Sequence, residues 1–179
     1  MSVASVESDL DNLTLTVIAD FDAPVEAVWE LWADPQKLGL WWGPPNYSTT
    51  FEPYEMSVGA EMAHVFAGPN GEAEHGVWRI EAVDPPRSLE LSDADVDDDG
   101  KPNDDFALTG ITMELSETDG GTRMTVRSMF FSRDGMEAMA EGFAEGLRLS
   151  LGRMDALLAE PASSASEKVR PVPGQPGTG

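Results

Sequence analysis

The chain has 179 residues, 41% of them hydrophobic, and a formal net charge of −22; this suits one domain of about 150 residues with a single core. The charge excludes phosphate-directed binding of DNA or RNA, which needs clustered Lys and Arg, and it disfavours anionic membrane surfaces. Cysteine is absent and only His64 and His75 represent histidine, which removes disulfides and thiol nucleophiles and leaves too few ligands for an ordinary zinc site.

Residues 1–9 are polar and read as a flexible N-terminus without the layout of a signal peptide. With no cysteine and no apolar run of about eighteen residues, the expected location is cytoplasmic. Leu13, Leu15, Val17 and Ala19 alternate with polar residues as in a half-buried strand. Pro24 opens a helix with Asp22 as its expected N-cap, and Val25, Val28, Trp29 and Trp32 follow at helical spacing. Asp34-Pro35 ends that helix and starts a second short one. Strands are expected over 47–55, 59–67 and 74–83, with Asn70-Gly71 as a hairpin turn. Further strands fall at Ser88–Ser92, Ile111–Leu115 and Met124–Phe130, the last two joined through Asp119-Gly120-Gly121. A long helix follows from Asp134 to Ala159, with Met136, Met139, Ala140, Phe143, Leu147, Leu151, Met154 and Leu158 in one stripe. Gly142, Gly146 and Gly152 interrupt it; close approach to a sheet, or space left beside Phe143, would account for Gly142 and Gly146. Residues 10–160 form the expected domain, and 161–179, rich in Pro, Ser, Ala and Gly, read as a disordered tail.

Four of the five tryptophans, Trp29, Trp32, Trp41 and Trp42, lie within fourteen residues. Each indole can bury roughly 150–250 Å², worth about 4–6 kcal/mol at the usual transfer coefficient. Trp29 is expected to anchor the first helix in the core. Trp32, Trp41 and Trp42 are expected at the mouth of an apolar cavity, since ligand sites are typically lined by aromatic side chains with a few polar groups.

The order of elements and the residues Ala23-Pro24-x-Glu26-x-Val28-Trp29, Asp34-Pro35-x-x-Leu38, Trp41-Trp42-Gly43-Pro44, Gly76-x-Trp78, Gly120-Gly121-Thr122-Arg123-Met124-Thr125 and Gly142-Phe143-x-x-x-Leu147 resemble the Aha1-type family, named for the activator of the Hsp90 ATPase. That family belongs to the START-like, helix-grip superfamily; its members usually carry Trp where Phe143 stands. The resemblance covers about residues 11–159. It implies an α+β fold in which a curved antiparallel sheet of about six to seven strands wraps around the C-terminal helix, with two short helices after the first strand. It also implies a cavity between sheet and helix, which related families use for sterols, lipids, plant hormones and polyketides. The eukaryotic co-chaperone carries an additional N-terminal Hsp90-binding domain. Nothing of that size precedes residue 11, and Hsp90 is disfavoured as a partner.

Met62, Trp78, Met113, Met124 and Phe143 fall on the expected inward faces, and methionine adapts readily to irregular space. His64 shares a face with Met62 and Phe66, where an imidazole could orient a ligand or transfer a proton. Arg79, Arg123 and Arg127 alternate with inward residues and should face water. Asp95-x-Asp97-x-Asp99-Gly100 matches the first half of a calcium loop, but Phe106 stands where the bidentate Glu belongs and Pro102 interrupts it. The stretch Ser92–Asp105 therefore reads as a solvated acidic connection, and no metal or cofactor is expected. No P-loop, dinucleotide fingerprint or Gly-x-Ser-x-Gly elbow is present, so no catalytic residue is assigned.

The reading is a binding module, monomeric or homodimeric, for an apolar or amphipathic small molecule, with Trp32, Trp41, Trp42, Met62, His64, Trp78, Met113 and Phe143 as the ligand-binding set. Two alternatives stand beside it. One is a cyclase or dehydratase, similar to polyketide cyclases, that uses His64 and Glu61, although strand alternation directs Glu61 away from His64. The other is an Hsp90-linked or stress-response interaction protein.

Overall fold

The computed structural model describes residues 2–43, 46–52, 55–95, 108–130 and 132–159. The tail 161–179, most of the acidic connection with Asp97, Asp99 and Phe106, and the side chains of Asp95, Met139, Ala140 and Phe143 lie outside the described set.

The chain runs β1 (Ser2–Asp9), β2 (Thr14–Phe21), α1 (Val25–Ala33), α2 (Pro35–Trp41), β3 (Ser48–Glu52), β4 (Glu61–Ala67), β5 (Ala73–Asp84), β6 (Ser88–Asp95), β7 (Leu108–Thr118), β8 (Gly121–Phe130) and α3 (Arg133–Ala159). All eight strands form one sheet in the order β1-β2-β8-β7-β6-β5-β4-β3, every neighbouring pair antiparallel. Only the β2–β8 pair joins strands far apart in sequence. The sheet is thus two hairpin runs stitched along one seam, with both helical segments leaving it on the same concave side. This is the helix-grip arrangement.

The strand count is eight, where the sequence suggested six or seven. The added strand is β1, where the polar composition of residues 1–9 suggests a flexible start. Its residues carry little alternation, but pairing needs only backbone groups. Val6 lies opposite Val17 and Asp9 opposite Thr14. The Asp9 carboxylate accepts the backbone N–H of Asp11 and Asn12, both at 3.0 Å, and the Asn12 side-chain amide at 2.7 Å. These bonds, led by the Asn12 side chain, hold the Asp9 carboxyl below its ordinary pKa.

Helix α1 also starts differently from expectation. Its N-cap is Pro24, whose carbonyl accepts the Ala27 and Val28 N–H groups, and no side chain caps it; Asp22 does not take that role. Asp34 does cap α2, accepting the Gln36 N–H at 2.9 Å and the Lys37 N–H at 3.4 Å, with Pro35 in the first turn.

Helix α3 buries Met136, Leu147, Leu151 and Met154 and half-buries Leu158. Its glycines make no close approach to the sheet: a Cβ built on Gly142, Gly146 or Gly152 meets nothing within 4 Å. Gly152 is exposed, so it costs helix stability with no packing return. Gly152→Ala should raise the unfolding free energy by about 0.5–1 kcal/mol, about 1–4 °C in thermal midpoint. Calorimetry showing no gain would mean that residue 152 is not helical in solution.

Buried side chains divide into a large cluster and a small one. The large cluster joins the sheet interior and the α1–α2 segment to Leu147, Leu151 and Met154. The small one comprises Leu15, Phe130 and Met136. On the inward face of β8, Val126 belongs to the first and Phe130 to the second, with Ser128 between them.

Candidate functional site

Alternation along β4 and β5 decides what reaches the interior. Met62 and His64 are buried on β4, and Gly76, Trp78 and Ile80 on β5, with Met62 opposite Trp78 and His64 opposite Gly76. The same alternation turns Glu61 to the opposite face, where it ion-pairs with Arg79. The structure therefore does not bring His64 and Glu61 together as an acid–base pair. Arg123 is likewise outward, its guanidinium held by Asp20 at 2.8 Å, which lowers the Asp20 pKa. Arg127 is exposed as well.

Against this strand face stands the α1–α2 segment. Trp32 and Trp41 meet edge to face at 4.8 Å between ring centroids, Trp41 and Trp42 at 5.4 Å, and Trp42 and Trp78 at 5.2 Å. Phe51 on β3 lies 4.9 Å from Trp78 and 5.6 Å from His64, and Phe66 lies 5.0 Å from His64. Seven rings thus form one continuous aromatic tier from α1 across to β4, in the offset and edge-on geometries that ring quadrupoles favour.

This corrects one expectation. Trp32, Trp41 and Trp42 do not stand at an open mouth: Trp41 has no exposed surface, Trp32 has 1% and Trp42 has 8%. Their edge-on contacts with one another exclude water, and the Trp41 indole N–H donates to the Leu31 carbonyl at 2.8 Å, locking α2 onto α1. Trp29, expected in the core, is there. Met62, Met113 and Met124 are inward and buried, as expected.

Polar atoms in this apolar interior are few. Among the described residues, the Trp78 indole N–H and the Ser128 hydroxyl are buried without a hydrogen-bond partner. An unmet buried donor costs about 1–3 kcal/mol and is uncommon in native proteins.

One cation reaches the rim of the tier. Arg153 on α3 donates from Nη2 to the Gly43 carbonyl at 2.8 Å and, at 3.4 Å, to the Ser150 hydroxyl. Burial pushes its guanidinium below the ordinary value. Gly43 adopts φ +110°, and a Cβ there would lie 3.2 Å from the Phe66 ring; Thr49 fastens the same turn by donating to the Trp42 carbonyl at 2.7 Å. Sequence reading overlooked Arg153, Phe51 and Thr49. A signal for Arg153 was present: it adjoins the buried stripe of α3 and has no acidic residue three or four positions away, whereas Arg133 has Glu137 and Arg148 has Glu145.

Two open clefts lie away from these residues. The larger, about 830 Å³, is lined by Glu7, Asp9, Asp11, Arg127 and Arg133 among others; the smaller, about 370 Å³, sits at the start of α1 beside the β7–β8 turn. Neither touches the aromatic tier. Among the described residues no group of three or more acidic or histidine side chains could hold a metal, and no helix is long and apolar enough to cross a membrane.

The family described as "Activator of Hsp90 ATPase homolog 1-like protein" matches residues 22–159. A protein from Mycobacterium smegmatis, solved by crystallography, is 36% identical with a TM-score of 0.79, over 89% of this chain and 99% of its own. A protein from Arthrobacter aurescens, solved by NMR in solution, is 38% identical with a TM-score of 0.82, over 96% of this chain and 100% of its own. A protein from Silicibacter pomeroyi bearing the AHSA1 name shares the fold at 22% identity and a TM-score of 0.69, over 82% of this chain and 97% of its own. No curated protein matches the chain. The match over most of the sequence, with the strand order and the α3 grip described above, places this chain in the activator of Hsp90 ATPase homolog 1-like family.

Proposed function

We propose that the protein binds a small apolar or amphipathic molecule between the sheet and α3. In this reading Met62, His64, Trp78 and Met113 contact the ligand, and Trp32, Trp41 and Trp42 form the wall behind them. The observation that carries the proposal is the Trp78 indole N–H, a buried donor surrounded by Trp42, Phe51 and His64 with no acceptor among the described residues. A ligand oxygen would satisfy it, and apolar sites of this kind typically orient their ligand through one or two such donors. The Ser128 hydroxyl, at the seam between the two core clusters, supports the same reading.

Native mass spectrometry of the protein isolated from its own cells should reveal a co-purified small molecule. Calorimetric titration with octanol and 2-naphthalenemethanol should show saturable binding. The absence of both an adduct and saturable binding would discard the proposal. Trp78→Phe keeps the ring but removes the donor; it should weaken octanol binding by about three- to tenfold, the worth of one neutral hydrogen bond. Unchanged affinity would remove Trp78 from the contact set.

A further inference from the structure

The chain carries 33 acidic and 11 basic residues, and a half-buried cation without a carboxylate beside it stands apart from Arg87 and Arg127, which also lack an ion pair among the described residues but are exposed to water. Lys37 pairs with Glu30, Arg79 with Glu61, Arg123 with Asp20, Arg133 with Glu137 and Arg148 with Glu145. Arg153 pairs with none of the described carboxylates. Its described acceptors are the neutral Gly43 carbonyl and Ser150 hydroxyl, both reached by Nη2, so Nε and Nη1 keep their donors. Arg153 is also half-buried, and a guanidinium removed from water without a counter-charge is costly.

Its position gives that arrangement a use. The Gly43 carbonyl it grips belongs to the turn packed on Phe66, and Phe66 is the half-buried end of the tier, next to His64 and then Trp78. A molecule lying along Phe66, His64 and Trp78 would present its outer end to Arg153.

Resting on the binding function argued above, we propose that the ligand is an apolar carboxylic acid with a second oxygen at its inner end, bound as its anion with the carboxylate on Arg153, the hydrocarbon or aryl body against the aromatic tier and the inner oxygen on the Trp78 N–H. A planar guanidinium with free donors suits a carboxylate better than any other ligand end group. The net charge of −22 disfavours anion binding overall, so a carboxylate bound here needs a local cation, and Arg153 is placed to supply it. The contact with Gly43 then has a second effect: a ligand drawing on Arg153 is felt by the turn that carries Trp41 and Trp42.

The test uses matched probes, octanoate against octanol and 2-naphthoate against 2-naphthalenemethanol, titrated calorimetrically into the full chain. The wild type should prefer each acid over its alcohol by at least about tenfold, as expected for a charge-assisted hydrogen bond. Arg153→Gln retains a donor for the Gly43 carbonyl; it should abolish the preference, lowering acid affinity about tenfold more than alcohol affinity. Arg153→Lys should restore part of the preference, because it keeps charge but loses the planar fork. Equal affinity of the wild type for acid and alcohol overturns the carboxylate assignment while leaving the binding function intact. A preference that survives in Arg153→Gln overturns the role of Arg153. If none of the four probes binds, the carboxylate proposal and the binding function fall together.

Discussion

Trp41→Ala is expected to lower the unfolding free energy by about 3–5 kcal/mol, the range for truncating a buried aromatic side chain. Trp41 has no exposed surface, touches Trp32 and Trp42 edge-on, and closes the α1–α2 corner through its bond to the Leu31 carbonyl. Alanine would leave a cavity beneath two other indoles and an unmet carbonyl beside it. The thermal midpoint should fall by roughly 6–20 °C for a chain of this size. Trp41→Phe should fall less, since it keeps most of the ring volume. A midpoint for Trp41→Ala within two degrees of the wild type would show that the tier does not hold the helices, and the account of the site built on it would have to be abandoned.

Gly39→Ala should cost about 1–3 kcal/mol through overpacking. The added Cβ would lie 2.5 Å from the Thr49 carbonyl oxygen, a backbone atom of β3. Either α2 or β3 must move, and both carry the tier: Trp41 on one, Phe51 on the other. The variant should therefore lose ligand affinity as well as stability, which calorimetric titration with octanol alongside chemical denaturation separates. Retained stability at residue 39 would contradict the α2–β3 contact. The opposite sign at Gly152 makes a useful control, because both changes are Gly to Ala in a helix and only the surroundings differ.

Much of this architecture could be read from residue order. Alternation placed His64 and Trp78 inward and Glu61 outward, because a strand repeats every two residues whatever lies above it. The α3 stripe was legible for the same kind of reason. The tryptophans were not. Spacing on α1 and α2 says which way Trp32 and Trp41 point but not that they meet each other, since that depends on the angle at Asp34-Pro35. β1 escaped notice because an edge strand can be held by its backbone alone, with Val6 as its inward contact. Arg153 escaped because a cation on a helix is ordinarily solvated. What distinguishes it is the missing carboxylate at the neighbouring positions, a feature defined by absence.

The open sheet ends in two unpaired edges, β1 and β3. Such edges invite strand addition and aggregation. β3 limits that risk by being only five residues long. β1 carries a register shift between Val3 and Ser5, and the carboxylates of Glu7 and Asp9. Both devices are weak alone, but they act on a surface whose charge of −22 already drives copies apart. Colloidal repulsion therefore stands in for the barrel closure that this fold lacks, and the molecule's solubility is tied to the ionisation of its own surface.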